Sequence, residues 1–218
     1  MSPKRLIIYD LDGTLVDTKQ DITEAANAML SQFGAAPLSQ QEVCRFVGSG
    51  LRQLIKGCLR IDDTEKIEKG ILIYRTYYRD HLLDHTALYP FAREVLEYFK
   101  QRNQAVVTNK PNPFSQNILI GLGVADYFLE IVTGDSEYGK KPDPAAVKAI
   151  MKKAGVSAEE TLLVGDSPID VETGRNAQIL TVGVSQGFSD EQELRGAFPD
   201  LFVRNLQEFL EMAKKEGW

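Results

Sequence analysis

Cysteine is almost missing from this chain. Cys44 and Cys58 stand alone, both in stretches with helical patterning and without disulfide-framework or metal-ligand spacing. A cross-linked scaffold and a thiolate metal site are thereby excluded, and a reduced, cytoplasmic setting is expected. Long apolar runs are lacking too. The opening Met-Ser-Pro-Lys-Arg-Leu-Ile-Ile-Tyr-Asp has a basic pair, but its apolar run is too short for a signal peptide. It reads instead as a first buried strand, and no stretch reaches bilayer-spanning length. There is no excess of positive charge: 25 Lys and Arg face 31 Asp and Glu, a net charge of −6. That balance offers nothing to nucleic acid or to an anionic membrane. It also means that an anionic substrate must be met by a metal or by individually placed Lys and Arg. Repeats and low-complexity segments are absent as well.

What is present is a globular composition, 43% hydrophobic over 218 residues, enough for one domain carrying a smaller insert. Short apolar, β-branched runs recur at Arg5–Tyr9, Ala105–Thr108, Ile131–Thr133, Leu162–Val164, Leu180–Val184 and, more weakly, Leu201–Val203. Their near-continuous apolarity, without alternation, is the mark of strands covered on both faces. Helical segments separate them: Phe91–Lys100, Asn112–Leu122 stopping at Gly123, and Pro144–Ala154 stopping at Gly155. Strands alternating with helices predict an α/β fold with a doubly wound, Rossmann-like parallel sheet.

One connection breaks the pattern. About 95 residues separate the first strand from the second, far more than a single crossover needs. Ile22, Ala25, Ala26, Met29, Leu30 and Phe33 form a helical stripe within it. Ser39-Gln-Gln-Glu42 is a capping box, and Asp62-Asp-Thr-Glu65 opens a long helix reaching about Leu83. The expected organisation is a core of residues 1–15 and 86–218 with an inserted α-helical cap domain at 16–85. A lid over the carboxyl edge of the sheet is the natural use of such an insert.

Chemistry concentrates at strand ends. The first strand runs into Asp10-Leu-Asp-Gly-Thr-Leu-Val-Asp17, and the second into Thr108-Asn109-Lys110. Gly139-Lys-Lys-Pro-Asp-Pro144 precedes a helix, and the fourth strand ends in Gly165-Asp-Ser-Pro-Ile-Asp170. Open α/β sheets bind ligands beyond the carboxyl ends of their strands. Acids, a hydroxyl and a lysine thus converge on one edge. A turn alone would explain Asp-Gly, but not the convergence.

The ordered set Asp-x-Asp-Gly-Thr, Thr-Asn, Lys-Pro and Gly-Asp-x-x-x-Asp resembles the haloacid dehalogenase superfamily of hydrolases, in particular the members with a helical cap. Within that group Leu-Val-Asp-Thr, Val-Gly-Ser-Gly and Val-Val-Thr-Asn-Lys-Pro most closely resemble phosphoglycolate phosphatases. The resemblance implies a Mg-dependent phosphatase acting through an aspartyl-phosphate. Asp10 matches the nucleophile and Asp12 the general acid/base. Lys141, which directly precedes Pro142, takes the lysine position, and Lys140 is expected in solvent. Thr108 and Asn109 match the phosphoryl-binding pair. Mg²⁺ would be held by Asp10, Asp166, the backbone carbonyl of Asp12, and Asp170 through water or by orienting the ligands. Three ionised carboxylates and a phosphoryl group bring about −5 of charge, against which Mg²⁺ and Lys141 supply about +3.

Other features read differently. Asp17 suits a turn-stabilising or hinge role. His81 and His85 lie four residues apart but lack the zinc-protease Glu, and Gly121-Leu-Gly123 reads as a helix stop. Tyr74, Tyr77 and Tyr78 read as cap packing. Around the Gly48-Ser-Gly50 turn, Arg52 is the leading candidate for binding a substrate carboxylate, with Arg45 and Lys56 behind it. The expected partner is a small-molecule phosphate ester, best guess phosphoglycolate, with pyrophosphate, nucleotides and sugar phosphates behind; neither nucleic acid nor membrane is expected, and a monomer or homodimer is. A phospho-acceptor receiver domain would lack the insert and the Gly-Asp-x-x-x-Asp element. Phosphomutases of this fold often replace Thr14 with Val or Ile, and dehalogenases carry an aromatic residue where Asp12 stands.

Overall fold

The structure is a computed structural model describing residues 3–218. Strand β1 (Leu6–Tyr9) lies at the centre of a six-stranded parallel sheet and is wholly buried. Next comes β2 (Val16–Asp17), then the helices α1 (Lys19–Gln32), α2 (Gln40–Cys44), α3 (Leu51–Leu59) and α4 (Thr64–His81), then β3 (Ala87–Leu88). The chain continues through α5 (Ala92–Tyr98), β4 (Asn103–Val107), α6 (Phe114–Gly121), β5 (Glu130–Val132), α7 (Ala145–Ala154) and β6 (Thr161–Gly165). It ends with α8 (Pro168–Ala177), β7 (Leu180–Val184), α9 (Glu191–Gly196), β8 (Leu201–Val203) and α10 (Leu206–Glu216).

The sheet order is β5-β4-β1-β6-β7-β8. Side chains of β1 alternate between faces, as the pleat requires. Ile7 and Tyr9 join one apolar cluster with Leu96, Phe99, Phe209 and Trp218 from the α5 and α10 side. Leu6 and Ile8 join another with Val147 and Ile150 of α7 and Ala177 of α8. Coverage on both faces is why the strands read as continuous apolar runs rather than alternating ones.

The long connection enters and leaves through a two-strand antiparallel ribbon in which Val16 pairs with Leu88 and Asp17 with Ala87. Inside it, Ile22, Ala25, Ala26, Met29 and Leu30 of α1 are buried, and α1 packs along α4. The Ser39–Glu42 capping box forms at the start of α2, and the Asp63 side chain caps α4. Asp21 ties the two ends of the insert together: its buried carboxylate accepts from the His85 and Thr86 amides and from the Thr86 hydroxyl. The helix α4 stops at His81, whose ring nitrogen meets Asp84 at 2.7 Å while His85 faces Glu24 at 3.6 Å, so the two histidines do not share a site. Gly123, at φ +65°, ends the α6 segment as a helix stop should. Asp17 accepts from the Lys19 amide at 3.1 Å, a local turn. Among the described residues no helix is long and apolar enough to cross a membrane.

Candidate active site

The backbone turn after β1 sets the first two acids. The Asp10 amide still donates to Val164 on β6 at 2.9 Å, so Asp10 stands at the last rung of the ladder. The chain then folds back, with the amides of Leu15 and Val16 both reaching the Leu11 carbonyl at 3.1 Å. Gly13 makes this possible at φ +92°, a conformation costly for any residue with a Cβ. A Cβ on Gly13 would overlap the Asp166 carboxylate, and so would one on Gly187. Asp166, at the end of β6, is thus gripped between two bare stretches of backbone. Its oxygens accept from the Thr14 hydroxyl at 2.9 Å and the Phe188 amide at 2.8 Å.

Asp170 is fixed by the helix that carries it. Ser167 caps α8, and the reciprocal box has the Ser167 hydroxyl donating to Asp170 Oδ2 at 2.6 Å. The other oxygen, Oδ1, accepts from Lys141 Nζ at 2.6 Å. The same ammonium lies 2.6 Å from Asp10 Oδ1. Burial pushes the Asp10 carboxyl up to about 7, against the pull of Lys141 and with a push from Asp170. Burial, together with Asp10 and Asp170, raises Asp166 to about 8. Burial works against the charge of Lys141 too, but the facing Asp10 and Asp170 outweigh it and hold the ammonium above its ordinary range.

Asp10, Asp166 and Asp170 each present an oxygen within 4.8 Å of the others, all three side chains being buried. Asp10 Oδ1 meets Lys141 Nζ at 2.6 Å and no other polar group among the described residues. Crowded oxygen-only ligands, all buried, fit a Mg²⁺ ion, which takes carboxylates and retained waters. Three clustered acids with a single lysine are under-neutralised without such a cation.

Asp12 sits on the other side of the turn. Its carboxylate accepts from the Thr18 hydroxyl at 2.6 Å and from Lys110 Nζ at 3.0 and 3.1 Å. Thr108 Oγ1 accepts from the Lys110 amide at 3.2 Å, which leaves its own proton free for another acceptor. Asn109 is spent on the chain itself. Its Nδ2 donates to the carbonyls of Gly48 at 2.8 Å and Lys141 at 3.0 Å, while its Oδ1 accepts from the Lys141 amide at 2.9 Å. It therefore joins the insert to the Lys141 loop rather than offering a donor to a ligand.

A cavity of about 50 Å³ lies between these residues and the insert, room for a few water-sized groups. Its floor holds Asp10, Asp12, Thr108, Lys110 and Lys141, and its roof Ile22, Val47, Leu51, Leu54, Tyr74 and Tyr78. Arg52, expected from the sequence to bind substrate, is not among the lining residues. It pairs with Glu68 on the exposed side of the insert, because α3 turns its apolar face inward and its charges outward. Lys56 is likewise engaged by Asp62 at 2.6 Å. Lys140 is exposed, yet its ammonium lies against Gly50 of the insert. Lys110 and Thr14 stand within the sequence motifs but carry no role of their own there, and Thr18 lies outside them, so their contacts with Asp12 and Asp166 emerge only in the folded site.

A profile of the haloacid dehalogenase-like hydrolases matches residues 7–184. A phosphoglycolate phosphatase of Neisseria gonorrhoeae is 36% identical over 92% of both chains. One from Vibrio parahaemolyticus is 35% identical over 95% of both. A crystal structure from Haemophilus somnus, described as a "predicted phosphoglycolate phosphatase", superposes with a TM-score of 0.92 at 28% identity, covering 98% of this chain and 99% of that one.

Proposed function

The chain belongs to the haloacid dehalogenase-like hydrolases, and from that premise we propose that it is a Mg-dependent phosphatase cleaving a small phosphate monoester, phosphoglycolate foremost, through an aspartyl-phosphate on Asp10. The observation that carries this reading is the grouping of Asp10, Asp166 and Asp170 around Lys141 at the carboxyl edge of the sheet. Asp10, Asp166 and Asp170, with the Asp12 carbonyl, would hold the Mg²⁺. Bound there, the ion neutralises charge and polarises the phosphoryl oxygens.

Asp10 attacks phosphorus, forming an acyl-phosphate as the P–O bond to the leaving group breaks. Asp12, oriented by Thr18 and Lys110, enters this step protonated and delivers that proton to the departing alkoxide. It then takes a proton from the water that attacks the acyl-phosphate, which frees inorganic phosphate and restores Asp10. The free Thr108 hydroxyl proton suits a phosphoryl oxygen, and Lys141 stabilises charge on the transferring group while holding Asp10 in line. The insert at 16–85 acts as the lid that shuts water out, and Asn109 fastens it to the core at residues 1–15 and 86–218.

The test is kcat/KM over a panel of phosphorylated metabolites with Mg²⁺, beside Asp10→Asn. Loss of the nucleophile should lower turnover more than about 1,000-fold while leaving the fold intact. Substantial residual activity in the variant would remove Asp10 from that role.

A further inference from the structure

The cavity holds two cations of unequal standing. Lys141 is enclosed by Asp10 and Asp170 and belongs to the phosphoryl end. Lys110 faces one carboxylate, Asp12, and its ammonium has three donors, more than the two contacts it makes there. Its stem is buried, and its Nζ lies 4.7 Å from the centroid of the Tyr78 ring. Tyr78 is itself fully buried, lines the same cavity, and its hydroxyl has no partner among the described residues. An orphan hydroxyl on the buried ring that a buried lysine overlies, in a largely apolar roof, is unusual unless a ligand completes it. The insert's own cations do not serve: Arg52 and Lys56 are paired on its outer side, and neither they nor Arg45 line the cavity.

We propose that Lys110 and Tyr78 form the subsite that reads a carboxylate on the leaving group of the phosphate ester. This rests on the phosphatase reading above and sharpens it. Asp12 must reach the ester oxygen to protonate it, and Lys110 lies within hydrogen-bond distance of Asp12. A carboxylate one carbon removed from that oxygen therefore falls beside the ammonium, with the ligand's methylene against Leu51, Leu54 and Tyr74. Sugar phosphates, rich in hydroxyls, would meet a roof with almost nothing to bond them; nucleotides would exceed the space. The subsite thus selects short, carboxylated phosphomonoesters, and the selecting charge comes from the core instead of the insert.

Phosphoglycolate and ethyl phosphate differ at this group alone for practical purposes, so their comparison isolates it. Lys110→Met should lower kcat/KM for phosphoglycolate about 30-fold or more beyond any loss on ethyl phosphate. Lys110→Arg should keep most of the preference, and Tyr78→Phe should reduce it several-fold. Equal losses on both esters would overturn the proposal and leave Lys110 a partner of Asp12 alone. A second measurement needs no change at position 110: calorimetric titration of the Asp10→Asn protein with each ester in Mg²⁺. Phosphoglycolate should bind at least about 30-fold more tightly; equal affinities would refute the subsite. Wild-type protein that hydrolyses no ester of the wider metabolite panel would end the phosphatase reading, while the titration would still decide whether the carboxylate is read.

Discussion

At the residue scale, what distinguishes this chain is how differently its ionisable groups are used in similar burial. Asp170 opposes the ionisation of Asp10, and both oppose that of Asp166, whereas Asp21, equally buried, is quietly satisfied by two backbone amides and a hydroxyl. Geometry and donors, not burial alone, separate a reactive acid from a structural one. The thiols illustrate the inert end. Burial raises Cys44 to about 11 and Cys58 to about 12. Since only the thiolate reacts, alkylation by iodoacetamide at pH 8 should run about 200-fold slower at Cys44 and about 2,000-fold slower at Cys58 than for an ordinary thiol near 8.5. Mass spectrometry over a time course measures this; labelling of both at the rate of glutathione would show that half-buried Cys44 and buried Cys58 open freely.

At the scale of elements, two capping boxes do different jobs. The one at Ser167 turns Asp170 toward Lys141 and so belongs to the site. The one at Ser39 only holds α2 in the insert. Ser39→Ala should therefore cost about 1 kcal/mol of stability and leave turnover alone. A melting curve lowered by about 2–4 °C would agree, and an unchanged one would make the cap idle. The boxes also mark how legible these elements were. Capping and periodicity act between near neighbours, so the strands, the α1 stripe, Ser39 and the stop at Gly155 could all be read in order along the chain. The four acids and Lys141 were legible because each follows a strand or opens a helix. The meeting of Lys110 with Tyr78 and the latch made by Asn109 were not, because these contacts exist only once the insert folds over the sheet. Arg52 failed for the same reason: its position in sequence is near the site, but its place on α3 points it at Glu68.

At the scale of the whole molecule, the site crowds three buried acids around one lysine, and their charge is met by that lysine and by retained protons. The folded-state values of about 7 for Asp10 and about 8 for Asp166 lie above the ordinary 3.8. Between those limits the native protein holds protons that the unfolded chain has released, so metal-free stability should fall as pH rises from about 4 to about 8. Lys141 does not alter that slope, since its stabilisation is fully present below its ordinary 10.5. Mg²⁺ competes with those protons, and its gain in melting temperature should be larger at pH 8 than at pH 6. Calorimetry at fixed Mg²⁺ decides it; equal gains would mean that the ion binds elsewhere. The clasp on Asp166 reaches further still. Two glycines far apart in sequence, Gly13 after β1 and Gly187 after β7, close on one carboxylate, so those two loops cannot drift independently. A side chain introduced at either bare position would push Asp166 out of its place beside Asp10 and Asp170.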